Sequence, residues 1–158
     1  MTVLVYRDGV LASDSQLIRR NWNVLGHAEK IARVDVDGEA YLVGGTGEAP
    51  YVAKFIRWCR SDNFPKFLQN LEYSSPRIEP TGKDDNCTGF VIKPDGVCIR
   101  FEGDDPPYEV ESEWHVFGSG DMIAVGALEM GATAERAVEV CIKHDILSDG
   151  PIQVVRRD

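Results

Sequence analysis

The chain has 158 residues, with 17 Lys and Arg against 26 Asp and Glu for a formal net charge of -9, and 43% of its residues are hydrophobic. That length fits one domain spanning residues 1–158, since chains of this size bury about 68–70% of their unfolded surface. The negative balance without a basic cluster argues against a nucleic-acid partner, and no apolar run approaches the roughly 18 residues of a membrane span.

The first stretch, "MTVLVYRDGVLASDSQ", alternates over Thr2 to Tyr6 and over Val10 to Asp14. It predicts a β-hairpin whose loop, Arg7-Asp8-Gly9, is closed by a left-handed Gly9. In that register Thr2 faces Asp14; a two-residue Asp8-Gly9 loop would instead set Asp14 opposite Val3 and weaken any pairing with Thr2. "IARVDV" and "EAYLVGG" flank Asp37-Gly38 as a second hairpin, so four strands are expected before the first helix.

From Glu48 to Cys59 the period changes. Val52, Phe55, Ile56 and Cys59 form one helical stripe, with Pro50 tolerated in the first turn. "NFPKFLQNLEY" adds a short helical piece, and the polar, Pro-containing run from Ser74 to Asp85 reads as loop. "CTGFVIKPDGVCIRFEG" is a third hairpin turning at Pro-Asp-Gly, and "WHVFGSG" a strand entering glycines. Met122 to Glu129 and Ala134 to His144 carry helical periodicity, separated by a stop at Gly131, and "PIQVV" closes the chain as a strand. Hairpins rather than crossovers join most strands, which favours antiparallel sheets with segregated helices.

Cys59, Cys87, Cys98 and Cys141 form no C-x-x-C pair and read as small buried thiols of a reducing compartment. His27, His115 and His144 share no ligand spacing, so no metal or other cofactor is expected. Trp22, Trp58 and Trp114 are scattered and read as core or interface anchors rather than base-stacking platforms. Without a signal-peptide pattern, a cytoplasmic protein is expected.

The strings "DGVLASDS", "EKIARVD", "LVGGTGEA", "GSGDMIAVGALEMGATAERAVE" and "HDILSDGPIQVV" carry, by order and spacing, a likeness over nearly the whole chain. They resemble the proteasome β-subunit and the HslV-type peptidase, members of the N-terminal nucleophile hydrolases. The resemblance implies an α+β fold, a four-layer α-β-β-α sandwich of two antiparallel sheets. It also implies a threonine nucleophile at Thr2, exposed by removal of Met1 without a long propeptide. A free threonine hydroxyl is a weak nucleophile, and an α-amine of pKa about 7.7–8.0 is one of the few built-in bases near neutrality.

By the same resemblance Lys30 stands beside the nucleophile and Asp14 pairs with it, the lysine lowering the proton affinity of hydroxyl and amine by charge repulsion. Alone, the two would read as a strand-end ion pair. Gly44 takes the place of the oxyanion-hole glycine, where its other reading is a strand-end glycine before a helix. Ala32, Leu42 and Thr46 would line the pocket for the side chain before the scissile bond, a small and largely apolar lining that suits a neutral residue. Ser119, Asp145 and Ser148 would complete the network around the threonine, although Asp145 and Ser148 alone would read as a helix-end turn. Asp149 departs from the pattern by standing where the first of two glycines is usual.

A ring of identical subunits is implied, acting on peptides or unfolded protein. No phosphate-binding glycine loop is present, so any ATP-driven unfoldase would be a separate protein. Two other functions fit the same fold: a non-catalytic structural or assembly protein that keeps Met1, and an amidase acting on a small-molecule amide.

Overall fold

The computed structural model describes residues 2–19, 21–71, 87–103 and 105–158. The expected loop from Ser74 to Asp85, and Met1, lie outside the described residues. The strands are β1 (Val3–Arg7), β2 (Val10–Ser13), β3 (Gln16–Ile18), β4 (Val24–His27), β5 (Ile31–Val36), β6 (Glu39–Thr46), β7 (Thr88–Ile92), β8 (Cys98–Glu102), β9 (Tyr108–Val110), β10 (Trp114–Gly118) and β11 (Gln153–Arg156). The helices are α1 (Ala49–Cys59), α2 (Asn63–Gln69), α3 (Asp121–Glu129) and α4 (Ala134–His144).

One sheet has the order β10-β1-β2-β11 and the other the order β5-β6-β7-β8-β9, with β3 and β4 as a separate hairpin. Alternation along β1 explains how the layers stack. Val3 and Val5 face a core shared with Ala124, Leu128, Val138 and Cys141 of α3 and α4, while Leu4 and Tyr6 face the second sheet through Ile31, Leu42, Phe90 and Ile92. The outer face of that second sheet packs under α1 and α2, around Phe55, Ile56, Phe64, Phe67 and Phe101. Three cores separate four layers, as the sandwich requires. Phe55, Phe64 and Phe67 are fully buried, each worth about 1.5–3 kcal/mol, and Trp58 meets Phe64 and Phe67 edge-on at 5.6 and 5.3 Å and Phe55 at a tilt at 6.0 Å. Trp22, by contrast, is exposed, so it is no core anchor.

The helices end where their sequence says. Thr133 Oγ1 accepts from Arg136 N–H at 3.2 Å to cap α4, an N-cap worth about 1 kcal/mol. Gly131, at φ 89°, follows α3, and the Gly131 to Leu128 and Ala132 to Ala127 backbone bonds close a Schellman motif.

Two expectations need correcting. Six strands, not four, precede α1. The β3–β4 hairpin escapes pattern reading because its strands are three and four residues long, its register shifts between Leu17 and Ile18, and β4 is largely exposed. The first hairpin also uses the two-residue loop: Arg7 pairs with Val10, and Asp8 and Gly9 take φ of 52° and 77°, the type I′ geometry that matches strand twist. Asp14 N–H therefore bonds Val3 O at 3.2 Å, one residue out of the expected register.

Candidate active site

That register does not separate Thr2 from Asp14. β2 ends at Ser13, and beyond it the consecutive N–H groups of Ser15 and Gln16 both donate to Asp149 O at 3.2 and 3.0 Å. The ladder breaks there, so strand alternation no longer fixes which way the Asp14 carboxylate turns. It turns toward the β1 terminus. Thr2 Oγ1 donates to Asp14 Oδ1 at 2.5 Å and accepts from Lys30 Nζ at 2.6 Å. Lys30 Nζ also bonds both Asp14 oxygens at 3.0 Å.

The three residues are buried: Thr2 3%, Asp14 0% and Lys30 7% exposed. Asp14 accepts in addition from Val3 N at 3.0 Å and from Gln16 N and Asp149 N at 3.3 Å, so an ion taken out of water finds donors on every side. Burial pushes the Lys30 ammonium below its ordinary value, while the charge and hydrogen bond of Asp14 oppose the shift. Asp149, where a glycine was expected, serves through its main chain, binding Asp14 with its N–H and the Ser15–Gln16 corner with its carbonyl.

A second cluster meets Thr2 from the β10–α3 turn and the turn after α4. Ser119 Oγ lies 2.9 Å from Asp145 Oδ2 and 3.3 Å from Thr2 O, and Ser148 Oγ donates to the same Asp145 oxygen at 2.6 Å. Burial of Asp145 favours its neutral form, but hydrogen bonds from Ser148, the Leu147 N–H and Ser119 outweigh it and hold the carboxyl below its usual value. The close approach depends on Gly118. At φ 97°, a Cβ there would sit 2.1 Å from Thr2 O.

Thr2 and Lys30 open into a cleft of about 1330 Å³ whose walls include Leu17 and Ile18 of β3, Gly45 and Thr46 at the end of β6, Gly47, Pro50, Val52 and Ile56 of α1, and Ser119. Thr46 lies on its wall. Ala32 instead packs under the helices, Leu42 packs between the sheets, and neither reaches the cleft wall. Gly45 N–H donates to Lys30 O at 3.3 Å, so by strand alternation the Gly44 N–H turns toward β7, where Gly44 pairs with Phe90. Packing also requires Gly44 to lack a side chain, since a Cβ would lie 2.8 Å from Phe90 Cζ. Gly45, on the cleft wall, is the glycine that sequence reasoning passed over.

Gln153 was also missed. Its amide bonds Lys30 N and Ala28 O at 2.9 and 2.6 Å, and a lone glutamine in a short strand gives no sequence signal. His115 Nε2 lies 3.2 Å from Gly96 O and His27 Nδ1 lies 3.3 Å from Ser15 Oγ. No cluster of His, Cys, Asp or Glu among the described residues could hold a metal ion. All four cysteines are buried, which pushes the Cys98 thiol up to about 12 and that of Cys141 to about 11.

No family model and no curated protein matches the chain. Among solved structures it is similar to eukaryotic HslV from Trypanosoma brucei, at 17% identity and a TM-score of 0.65 over 98% of both chains. It is likewise similar to a Gly-1 mutant of Anbu from Hyphomicrobium sp. strain MC1, at 12% identity and a TM-score of 0.67 over 99% of this chain and 82% of that one. At such identities the likeness establishes the fold, the four-layer arrangement that the motif order implied. No helix among the described residues is long and apolar enough to cross a membrane.

Proposed function

We propose that this chain is a threonine peptidase of the HslV kind, in which Thr2, once Met1 is removed, attacks peptide bonds of unfolded polypeptide. The observation that carries the reading is the Thr2 hydroxyl held 2.6 Å from Lys30 Nζ and 2.5 Å from Asp14 Oδ1 at the edge of a large cleft. Thr2 Oγ bonds to the scissile carbonyl carbon while its proton passes to its own α-amine. Collapse of the tetrahedral intermediate breaks the C–N bond, and the α-ammonium returns the proton to the departing amine. Water then cleaves the acyl ester in the same way, restoring Thr2 and releasing a carboxylic acid.

Lys30 keeps both proton affinities low and Asp14 orients it. Ser119, Asp145 and Ser148 fix the Thr2 main chain. The oxyanion donor would be a backbone N–H of the Gly44-Gly45 pair; Gly45 lies on the cleft wall, and its N–H, bonded to Lys30 O at 3.3 Å, would have to exchange that bond for the substrate carbonyl. β3 lines the cleft and among the described residues pairs with β4 alone, so an extended peptide would add to its other edge. A small-molecule amidase would suit a smaller space, typically about 300–1,000 Å³. A purely structural protein would gain little from a fully buried ion pair, which packed apolar residues replace at no loss. A ring of identical subunits in the cytoplasm, fed by a separate unfoldase, completes the proposal.

The test is intact mass after incubation with a peptide epoxyketone, a reagent that needs a free α-amine beside a hydroxyl. The expected result is loss of Met1 and one adduct, absent in Thr2→Ala. Retained Met1 without an adduct overturns the proposal and favours the structural alternative.

A further inference from the structure

Gln153 belongs to β11 of the four-stranded sheet, yet both ends of its side-chain amide bond to the chain leading into the other sheet. Nε2 donates to Ala28 O at 2.6 Å and Oε1 accepts from Lys30 N at 2.9 Å. A carbonyl and an N–H two residues apart are what one residue of a parallel neighbouring strand would engage. The amide thus supplies strand-like pairing to residues 28–30, which belong to no strand. It bypasses a nearer claim: Ser13 lies directly opposite Gln153, and its buried Oγ has no partner among the described residues.

Ser13 precedes Asp14, so one side chain ties the strand end that delivers Asp14 to the segment that delivers Lys30. We propose that Gln153 is a positioning residue that sets the distance between Lys30 Nζ and the Thr2–Asp14 pair. The inference rests on the threonine-peptidase reading for its effect on rate, but not for its effect on Lys30 itself. A misplacement of about 1 Å costs on the order of a hundredfold in rate, and Gln153→Ala removes both bonds that prevent it.

Two readouts separate the failures: the rate of epoxyketone adduct formation at saturating reagent, and the titration of Lys30 followed by its ¹³Cε resonance, assigned by its loss in Lys30→Arg. Gln153→Ala is expected to react about 10–100-fold more slowly with little change in half-saturating concentration. Its Lys30 titration should move up toward the ordinary lysine value as burial is relaxed. Val154→Ala, which trims the adjacent residue packed toward α3 and α4, should lower stability and leave both readouts unchanged. Adduct formation in Gln153→Ala within about twofold of wild type with an unmoved Lys30 titration overturns the inference, as does Val154→Ala reproducing the loss. Should wild type form no adduct, the peptidase reading fails and the Lys30 titration alone decides: a shift confined to Gln153→Ala sustains the positioning role, and no shift overturns it.

Discussion

Thr2 Oγ1 accepts from one charged group and donates to another, so its position is the resultant of two bonds inside a nearly dry site. That arrangement makes Lys30 and Asp14 interdependent. Lys30→Met strands a carboxylate that is 0% exposed, and breaking a buried pair in this way costs about 3–5 kcal/mol. Asp14→Asn strands the ammonium with a similar penalty. The double variant removes both charges and should lose clearly less than the sum of the singles. Urea midpoints of the four proteins measure this; additive losses would mean that the two groups do not stabilise each other's charge.

At the scale of elements, the site depends on how closely β1 and β10 approach at their ends. Val3 pairs with Gly118, and the atom that a Gly118 side chain would strike is the Thr2 carbonyl oxygen of the backbone, which cannot rotate away. Gly118→Ala should therefore cost about 2–4 kcal/mol, combining a left-handed φ with overpacking. Gly126 in α3 has nothing within 4 Å of its would-be Cβ, and Gly126→Ala should stabilise by about 0.5–1 kcal/mol through helix propensity. Thermal melts that rank the two variants otherwise would contradict the close β1–β10 packing at Gly118. The elements most legible in the sequence are those with local chemistry behind them: Asp-Gly turns, the α1 and α4 stripes, the Gly131 stop. What stayed hidden is non-local. Nothing in "RDG" distinguishes a two- from a three-residue loop, and the break after Ser13 that rescues the Thr2–Asp14 contact is set by Asp149, far along the chain. The family resemblance pointed to the Asp14–Lys30 pair, but the direction of each N–H in Gly44-Gly45 depends on hairpin register, and the reach of Gln153 on how two sheets stack.

For the whole molecule, the acidic balance makes low pH the informative stress. Asp145 is tied by its hydrogen bonds to Ser119, Ser148 and Leu147, linking the end of α4 to the β10–α3 turn that bonds Thr2 O. Its folded pKa lies below the ordinary 3.8, so as pH falls toward that value the unfolded chain takes up the proton first. Lower pH then favours unfolding through this group. Its contribution is fully present above about pH 5, where both forms are ionised, and is lost as pH drops through the folded pKa. Asp145→Asn lacks this term at every pH. The other carboxylates are common to both proteins, so the difference in urea midpoint between wild type and Asp145→Asn isolates Asp145 from the remainder of the net charge. That difference should be largest near pH 7 and shrink as the pH falls below about 4 and through the folded pKa. Because the carboxylate is partly solvated, the gap should be modest, and its pH dependence is what distinguishes a bound anion from a merely well-packed side chain. A gap that stays constant down to acid would show that the Asp145 charge does not hold α4 against the Thr2 main chain.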